Sequence, residues 1–224
     1  MIIVIGGIKG GSGKTTIATN LAVMRAAHTK VLLVDADEQK SAWDWSQQRD
    51  HLLTPTLNPS KPMSSKGPES HLTFVTVCMS GKAIYSNLIR MKEDYDDIIV
   101  DTGGRDTTSQ RAAISVADIL ILPFKPSSID IWTMVPIKAI LDECLNPRLK
   151  VYAIISQADA KGKDNEEAIA ILNDFQNVTI LKCMIGNRKA FRNAAADGMG
   201  VAELDPIDKK AVQEMESLYY SIYS

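Results

Sequence analysis

Apolar residues in this chain come in short unbroken runs. Ile2-Ile3-Val4-Ile5, Val31-Leu32-Leu33-Val34, Ile98-Ile99-Val100, Ile119-Leu120-Ile121-Leu122, Val151-Tyr152-Ala153-Ile154-Ile155 and Val178-Thr179-Ile180-Leu181 are continuous rather than alternating. Continuous apolar runs suit strands covered on both faces, and so predict a buried parallel sheet. Leu72–Val77 alternates more and reads as a strand nearer an edge. Between the runs the spacing becomes helical. Ile17, Leu21 and Met24 share one stripe of residues 15–27, and residues 128–145 and 163–175 are long enough for crossover helices. Strands alternating with helices predict an α/β fold: a doubly wound, mostly parallel twisted sheet with helices on both faces.

Residues 53–71 carry four prolines and no periodicity. Strands on both sides are needed for one sheet, so this stretch reads as a surface excursion within a single domain spanning residues 1–224. No internal repeat is present. The final helical pattern, about residues 206–222, sets Val212, Met215, Leu218, Tyr219 and Ile222 on one stripe. Its polar face has Glu214 and Glu216 in the middle and Lys209 and Lys210 only at the start, which suits core packing better than a membrane surface.

Composition narrows the class of protein without choosing a function. Hydrophobic residues make up 45% and charged residues 23%, ordinary for a globular protein, and no apolar run approaches membrane-spanning length. Cys78, Cys144 and Cys183 are odd in number and widely spaced, and the first residues lack a secretory pattern, so a cytoplasmic location is expected. A formal net charge of −2 gives the whole molecule no footprint for nucleic acid; such binding needs a local basic patch.

The chemistry concentrates after the first run. Ile2–Ile5 leads into Gly6-Gly7-Ile8-Lys9-Gly10-Gly11-Ser12-Gly13-Lys14-Thr15-Thr16 and then into a helical pattern. Strand, glycine-rich turn and helix form a phosphate cradle: backbone N–H groups turn inward, Lys14 adds a positive charge, and the Thr15 hydroxyl can ligate Mg²⁺. A general phosphate loop would have glycine at position 8, where this chain has Ile8. Asp101 ends the Ile98–Val100 run, as an acid that holds Mg²⁺ through water does, and Gly103 and Gly104 then let backbone approach a γ-phosphate. Asp35 and Asp37 follow the second run and face the same crevice at the carboxyl ends of the strands.

The string Lys9-Gly10-Gly11-Ser12-Gly13-Lys14-Thr15-Thr16 resembles the deviant Walker A motif of the ParA/MinD superfamily of ATPases, especially small plasmid-partition members. The resemblance covers residues 1 to about 220 and implies ATP and Mg²⁺ as ligands. It implies that Lys9 reaches the phosphates held by a second subunit, that Asp37 orients the attacking water, and that Asp35 lies near the metal shell with Thr15 and Asp101. The family pattern has proline where this chain has Glu38. Lys9, Lys14 and Asp37 are therefore the candidate catalytic residues. Residues 9–16, Gly104 and, on the adenine side, Asn187 are the candidate ATP contacts.

Residues 178–196 hold Lys182, Arg188, Lys189 and Arg192 and no acid, with Arg188 and Arg192 four apart as on one helix face. By resemblance this is a nonspecific DNA-binding patch. Pro123–Trp132, with Asp130 and Trp132, and Ala42-Trp43-Asp44-Trp45 also match small partition ATPases, although both read equally as structural segments.

The implied function is plasmid partition: an ATP-dependent homodimer binds DNA, associates with the nucleoid, and hydrolyses ATP slowly until a ParB-like or other centromere-binding protein stimulates it. Membrane association is not expected. The same ATPase could instead position a relaxosome, a chemoreceptor array or an envelope machine, or act as a nucleotide-regulated binding module. An electron-transfer ATPase of the nitrogenase iron protein type would need paired cysteines, and no Cys-x-x-Cys occurs.

Overall fold

The structure, a computed structural model, describes residues 1–53, 72–105, 107–126, 131–159 and 163–223, without the side chains of residues 53 and 131–133. In chain order the elements are β1 (Ile2–Ile5), α1 (Lys14–Ala26), β2 (Val31–Ala36), α2 (Ser41–Leu53), β3 (Val75–Cys78), α3 (Ala83–Met91), β4 (Asp97–Thr102), α4 (Thr108–Ile114), β5 (Ile119–Phe124), α5 (Ile131–Glu143), β6 (Lys150–Ala158), α6 (Asp164–Asn173), β7 (Thr179–Gly186), α7 (Lys189–Ala196), a 3₁₀ turn (Val201–Glu203) and α8 (Lys209–Tyr223).

The strands form one seven-stranded sheet in the order β3-β2-β4-β1-β5-β6-β7, and every pair is parallel. The unbroken apolar runs follow directly from its two covered faces. Ile3, Ile5, Leu33, Ile99 and Ile121 point into one core beneath α1, α2, α7 and α8. Their neighbours Ile2, Val4, Leu32, Ile98 and Leu120 point into a second core beneath α3, α4, α5 and α6. Each such buried side chain stabilises the fold by roughly 1.5–3 kcal/mol, so the sheet leaves little room for polar residues except where its strands end.

Register places the chemistry. Asp101 lies opposite Ile5 on one side and Asp35 on the other, so the exit of β1 and both acids share one level at the carboxyl edge. β3 is an edge strand, as its alternation suggested.

The other edge differs from expectation. β7 runs to Gly186, well beyond the Val178–Leu181 run, and its pairing with β6 shifts between Ile180 and Met184. An edge strand has one unpaired side open to water, and past Ile180, which packs on the second core, Lys182 and Met184 are exposed, so Lys182 sits in β7 without cost to the core. Helix α2 is weakly amphipathic and α4 only seven residues long, while α3 and α7 are strongly amphipathic but span just nine and eight residues, so none of the four gives a long periodic stretch. Of the expected surface excursion, residues 54–71 lie outside the described residues, as do Ser127–Asp130 and the Trp132 side chain.

Candidate functional site

The turn after β1 closes on α1 with Gly13 as the N-cap residue, at φ 89° and without a side-chain cap. That left-handed geometry suits glycine, and a Cβ there would lie 2.6 Å from Ser156 Oγ at the end of β6. The first N–H groups of α1 have no intrahelical partner and lie beside a cleft of about 650 Å³, bordered by Gly11, Thr16, Asp37, Glu38, Gly104 and Gln157. A larger groove of about 1080 Å³ opens at the other end of the sheet, near Lys150 and Thr179, away from this chemistry.

Lys14 is buried, and its ammonium donates to the Lys9 carbonyl oxygen over 2.9 Å. Burial lowers its pKa, opposed by the nearby charges of Asp101 and Asp37. The Lys9 side chain is exposed, so the two lysines of the motif have different surroundings.

Asp101 is fully buried. The Thr15 hydroxyl donates to its Oδ2 over 2.6 Å, while Oδ1 is buried with no partner among the described residues. Burial pushes the Asp101 pKa up to about 7, with the Thr15 hydrogen bond opposing and the Asp35 charge adding to the rise. Ser12 Oγ is a second buried oxygen without a protein partner. A carboxylate and a hydroxyl beside a cleft of this volume fit a magnesium nucleotide, with Thr15 and Asp101 as the protein groups that would hold the metal. Among the described residues, no cluster of three or more His, Cys, Asp or Glu side chains could hold a metal ion.

Asp35 is more committed than the sequence suggested. Its Oδ1 accepts the Asp37 N–H at 3.0 Å and its Oδ2 the Trp43 N–H at 2.8 Å, so it caps the first turn of α2 from the strand end. Burial raises its pKa, against the pull of these hydrogen bonds. Asp37 accepts the Gln39 N–H at 3.1 Å and lies beside Gly103, where a Cβ would sit 3.1 Å from its Oδ1. A Cβ on Gly104 would lie 2.6 Å from the backbone nitrogen of Gly10, so this segment rests directly on the phosphate loop.

Three participants were not visible in the sequence. Gln157, at φ 57°, donates from Nε2 to the Gly11 carbonyl. Ser156 backs Gly13, and Gln110 joins Gly7 to Thr102. Each reaches the loop from a distant element, and no local motif marks such a contact.

The basic patch needs correction. Arg188 is the N-cap residue of α7, in extended conformation, so it does not share a helix face with Arg192. Its guanidinium is held by Glu214 of α8, with Nε 3.0 Å from both carboxylate oxygens, and this partner raises its pKa. The segment has no acid of its own, but packing supplies one. Lys182, Lys189 and Arg192 are exposed, and α7 buries Ala190, Phe191 and Ala194 on its other side. Asn187 follows β7; its backbone N–H donates to Ala158 O at 3.1 Å, and the residue is exposed at the same edge of the sheet as the cleft. Trp45 is a packing residue, stacked on Phe74 with 6.1 Å between ring centroids.

Comparison with known proteins agrees with the fold. The family model described as "ATPase MipZ" matches residues 1–169. Maintenance of carboxysome distribution protein A from Halothiobacillus neapolitanus is 24% identical over 96% of this chain and 92% of its own. Apo McdA from Cyanothece superposes with a TM-score of 0.74 at 19% identity, covering 99% of this chain and 98% of that one. A putative plasmid partition protein from Borrelia burgdorferi, solved with AMPPNP, gives 0.67 at 20% identity, with 99% and 97% covered.

Proposed function

Because this chain belongs to the MipZ family of ATPases within the ParA/MinD superfamily, we propose that it is an ATP-switched positioning protein. Two copies close around ATP, and the closed dimer binds DNA without sequence preference. A stimulatory partner of the ParB-like or centromere-binding kind then triggers hydrolysis and release. The observation that carries this reading is the division of labour between the two lysines. Lys14 lies inside the cradle, whereas the Lys9 side chain faces outward on the same loop. A cation on the outside of a phosphate loop can act on phosphates bound by a second copy, much as an arginine finger does.

Hydrolysis is attack of water on the γ-phosphate. Asp37, at the rim beside Gly103, positions the water; Lys14 and the second copy's Lys9 stabilise charge on the phosphoryl oxygens. Mg²⁺, when bound with the nucleotide, neutralises phosphate charge, and Thr15 and Asp101 are placed to hold it, with Asp35 fixing the adjacent turn. Residues 9–16 and Gly104 surround the phosphates, and Asn187 approaches the adenine side. Lys182, Lys189 and Arg192 form the DNA-facing patch. Among the described residues no helix is long and apolar enough to cross a membrane. The expected location is the cytoplasm, on the nucleoid when ATP is bound.

The proposed cargo is a plasmid. A second reading, a carboxysome-like compartment as cargo, is favoured by the relative named for carboxysome distribution, which covers nearly the whole chain. Binding to nonspecific DNA with ATP, with ADP and without nucleotide tests the switch. ATP-selective binding is expected; binding indifferent to nucleotide overturns it. Retention of the protein's own replicon against retention of a compartment separates the two cargoes.

A further inference from the structure

Gln110, in α4, is 1% exposed, and its carboxamide lies between elements that the nucleotide cycle must coordinate. Its Oε1 accepts the Gly7 N–H at 3.1 Å and lies 2.9 Å from the Thr102 hydroxyl. Its own backbone N–H donates to Thr107 Oγ1, the N-cap of α4, at 3.1 Å. One side-chain oxygen thus gathers the entrance of the phosphate loop, the end of β4 one residue beyond Asp101, and the helix that follows Gly103–Gly104. The fit is tight, since a Cβ on Gly6 would lie 2.9 Å from Leu120 and 3.5 Å from Gln110 Oε1.

A buried carboxamide is destabilising unless its bonds are made, and an aliphatic side chain would fill the space without that cost. Its presence is explained by what it holds in register. The Thr102 hydroxyl is also 3.0 Å from the Ile5 carbonyl oxygen. One hydroxyl proton serves one acceptor at a time, so Thr102 has two stations, one on β1 and one on α4.

We infer that Gln110 is a positioning residue of the ATP switch. Its amide oxygen and the two-station Thr102 hydroxyl tie α4 to the phosphate loop, so that a change at the γ-phosphate reaches α4. From α4 the change passes to the start of α3, where the Gly81 N–H donates to Ser109 Oγ at 2.8 Å. The inference rests on the ATPase reading and adds an internal transmission element to it.

The test uses the full chain with Gln110→Met, Gln110→Glu and Thr102→Val. Nucleotide affinity, steady-state hydrolysis, amide exchange in α4 and melting temperature are measured for each. Gln110→Met keeps ADP affinity within about threefold, lowers kcat about tenfold at little changed KM, and abolishes the ATP-dependent protection of α4 amides. Thr102→Val behaves the same way. Gln110→Glu retains an acceptor oxygen for the Gly7 N–H and the Thr102 hydroxyl in either protonation state and restores most of kcat. Wild-type kcat and wild-type α4 protection in Gln110→Met overturn the inference. If Gln110→Met does not fold, Thr102→Val decides: normal turnover and α4 protection in that variant overturn it. A wild-type protein that binds no nucleotide overturns the ATPase reading instead.

Discussion

Thr15 and Asp101, one from the start of α1 and one from the end of β4, meet over 2.6 Å, and the second oxygen of Asp101 has no partner among the described residues. A buried carboxylate with half its bonding capacity open is costly by itself and would be complemented by a cation held beside it. That relationship makes the site sensitive to pH even before nucleotide arrives.

Burial pushes the Asp101 pKa up to about 7 in the folded protein, whereas that of an unfolded aspartate is ~3.9. Between those values the folded protein holds a proton that the unfolded chain does not. Stability from this group therefore falls as pH rises across that window. Melting temperatures from pH 4 to 8 are expected to decline more steeply for the nucleotide-free wild type than for Asp101→Asn, which lacks the titration. Parallel profiles would contradict the assignment.

The two motif lysines separate by assay. Lys14→Ala is expected to weaken nucleotide binding by at least about 100-fold, since a buried charge-assisted contact is lost. Lys9→Ala is expected to leave binding intact and to remove the rise in specific ATPase activity with protein concentration. Equilibrium titration and a concentration series of phosphate release give the comparison; full turnover by Lys9→Ala would rule out its action on a second copy.

DNA binding should follow the free cations rather than all the basic residues. Lys189→Ala and Arg192→Ala are each expected to reduce the salt slope of DNA affinity by about 1. Arg188→Ala should change the slope little, because Glu214 already holds that guanidinium. Glu214→Gln should release it and strengthen binding. An Arg188→Ala effect as large as that of Arg192→Ala would show that the ion pair opens on DNA.

A second ion pair is structural. Arg49 in α2 and Glu203 in the 3₁₀ turn are 4% and 9% exposed and joined by two 2.8 Å hydrogen bonds, and Arg49 also donates to the Leu72 and Gly198 carbonyls. Removing one partner leaves a buried charge, at a cost of about 3–5 kcal/mol. For a domain of this size Arg49→Ala or Glu203→Ala should lower the melting temperature by about 6–20 °C in a calorimetric scan. A shift under two degrees would place the pair among weak surface bridges.

The sequence by itself determined the parallel sheet, its central strands and the phosphate cradle. These are local facts: unbroken apolar runs report two covered faces, and the Lys9–Thr16 string carries its own backbone requirements. Tertiary structure decided which polar groups meet. Asp35 and Asp101 look alike at the ends of apolar runs, yet one is taken up by backbone N–H groups of α2 and the other is left open beside Thr15. Arg188 reads as a free cation until α8 brings Glu214 to it across 26 residues of sequence. Gln110 and Gln157 become part of the site only when α4 and β6 are set against the loop, 103 and 146 residues away. Hydrophobic periodicity is fixed along the chain, whereas the partner of a polar side chain is fixed by which elements the buried sheet brings together.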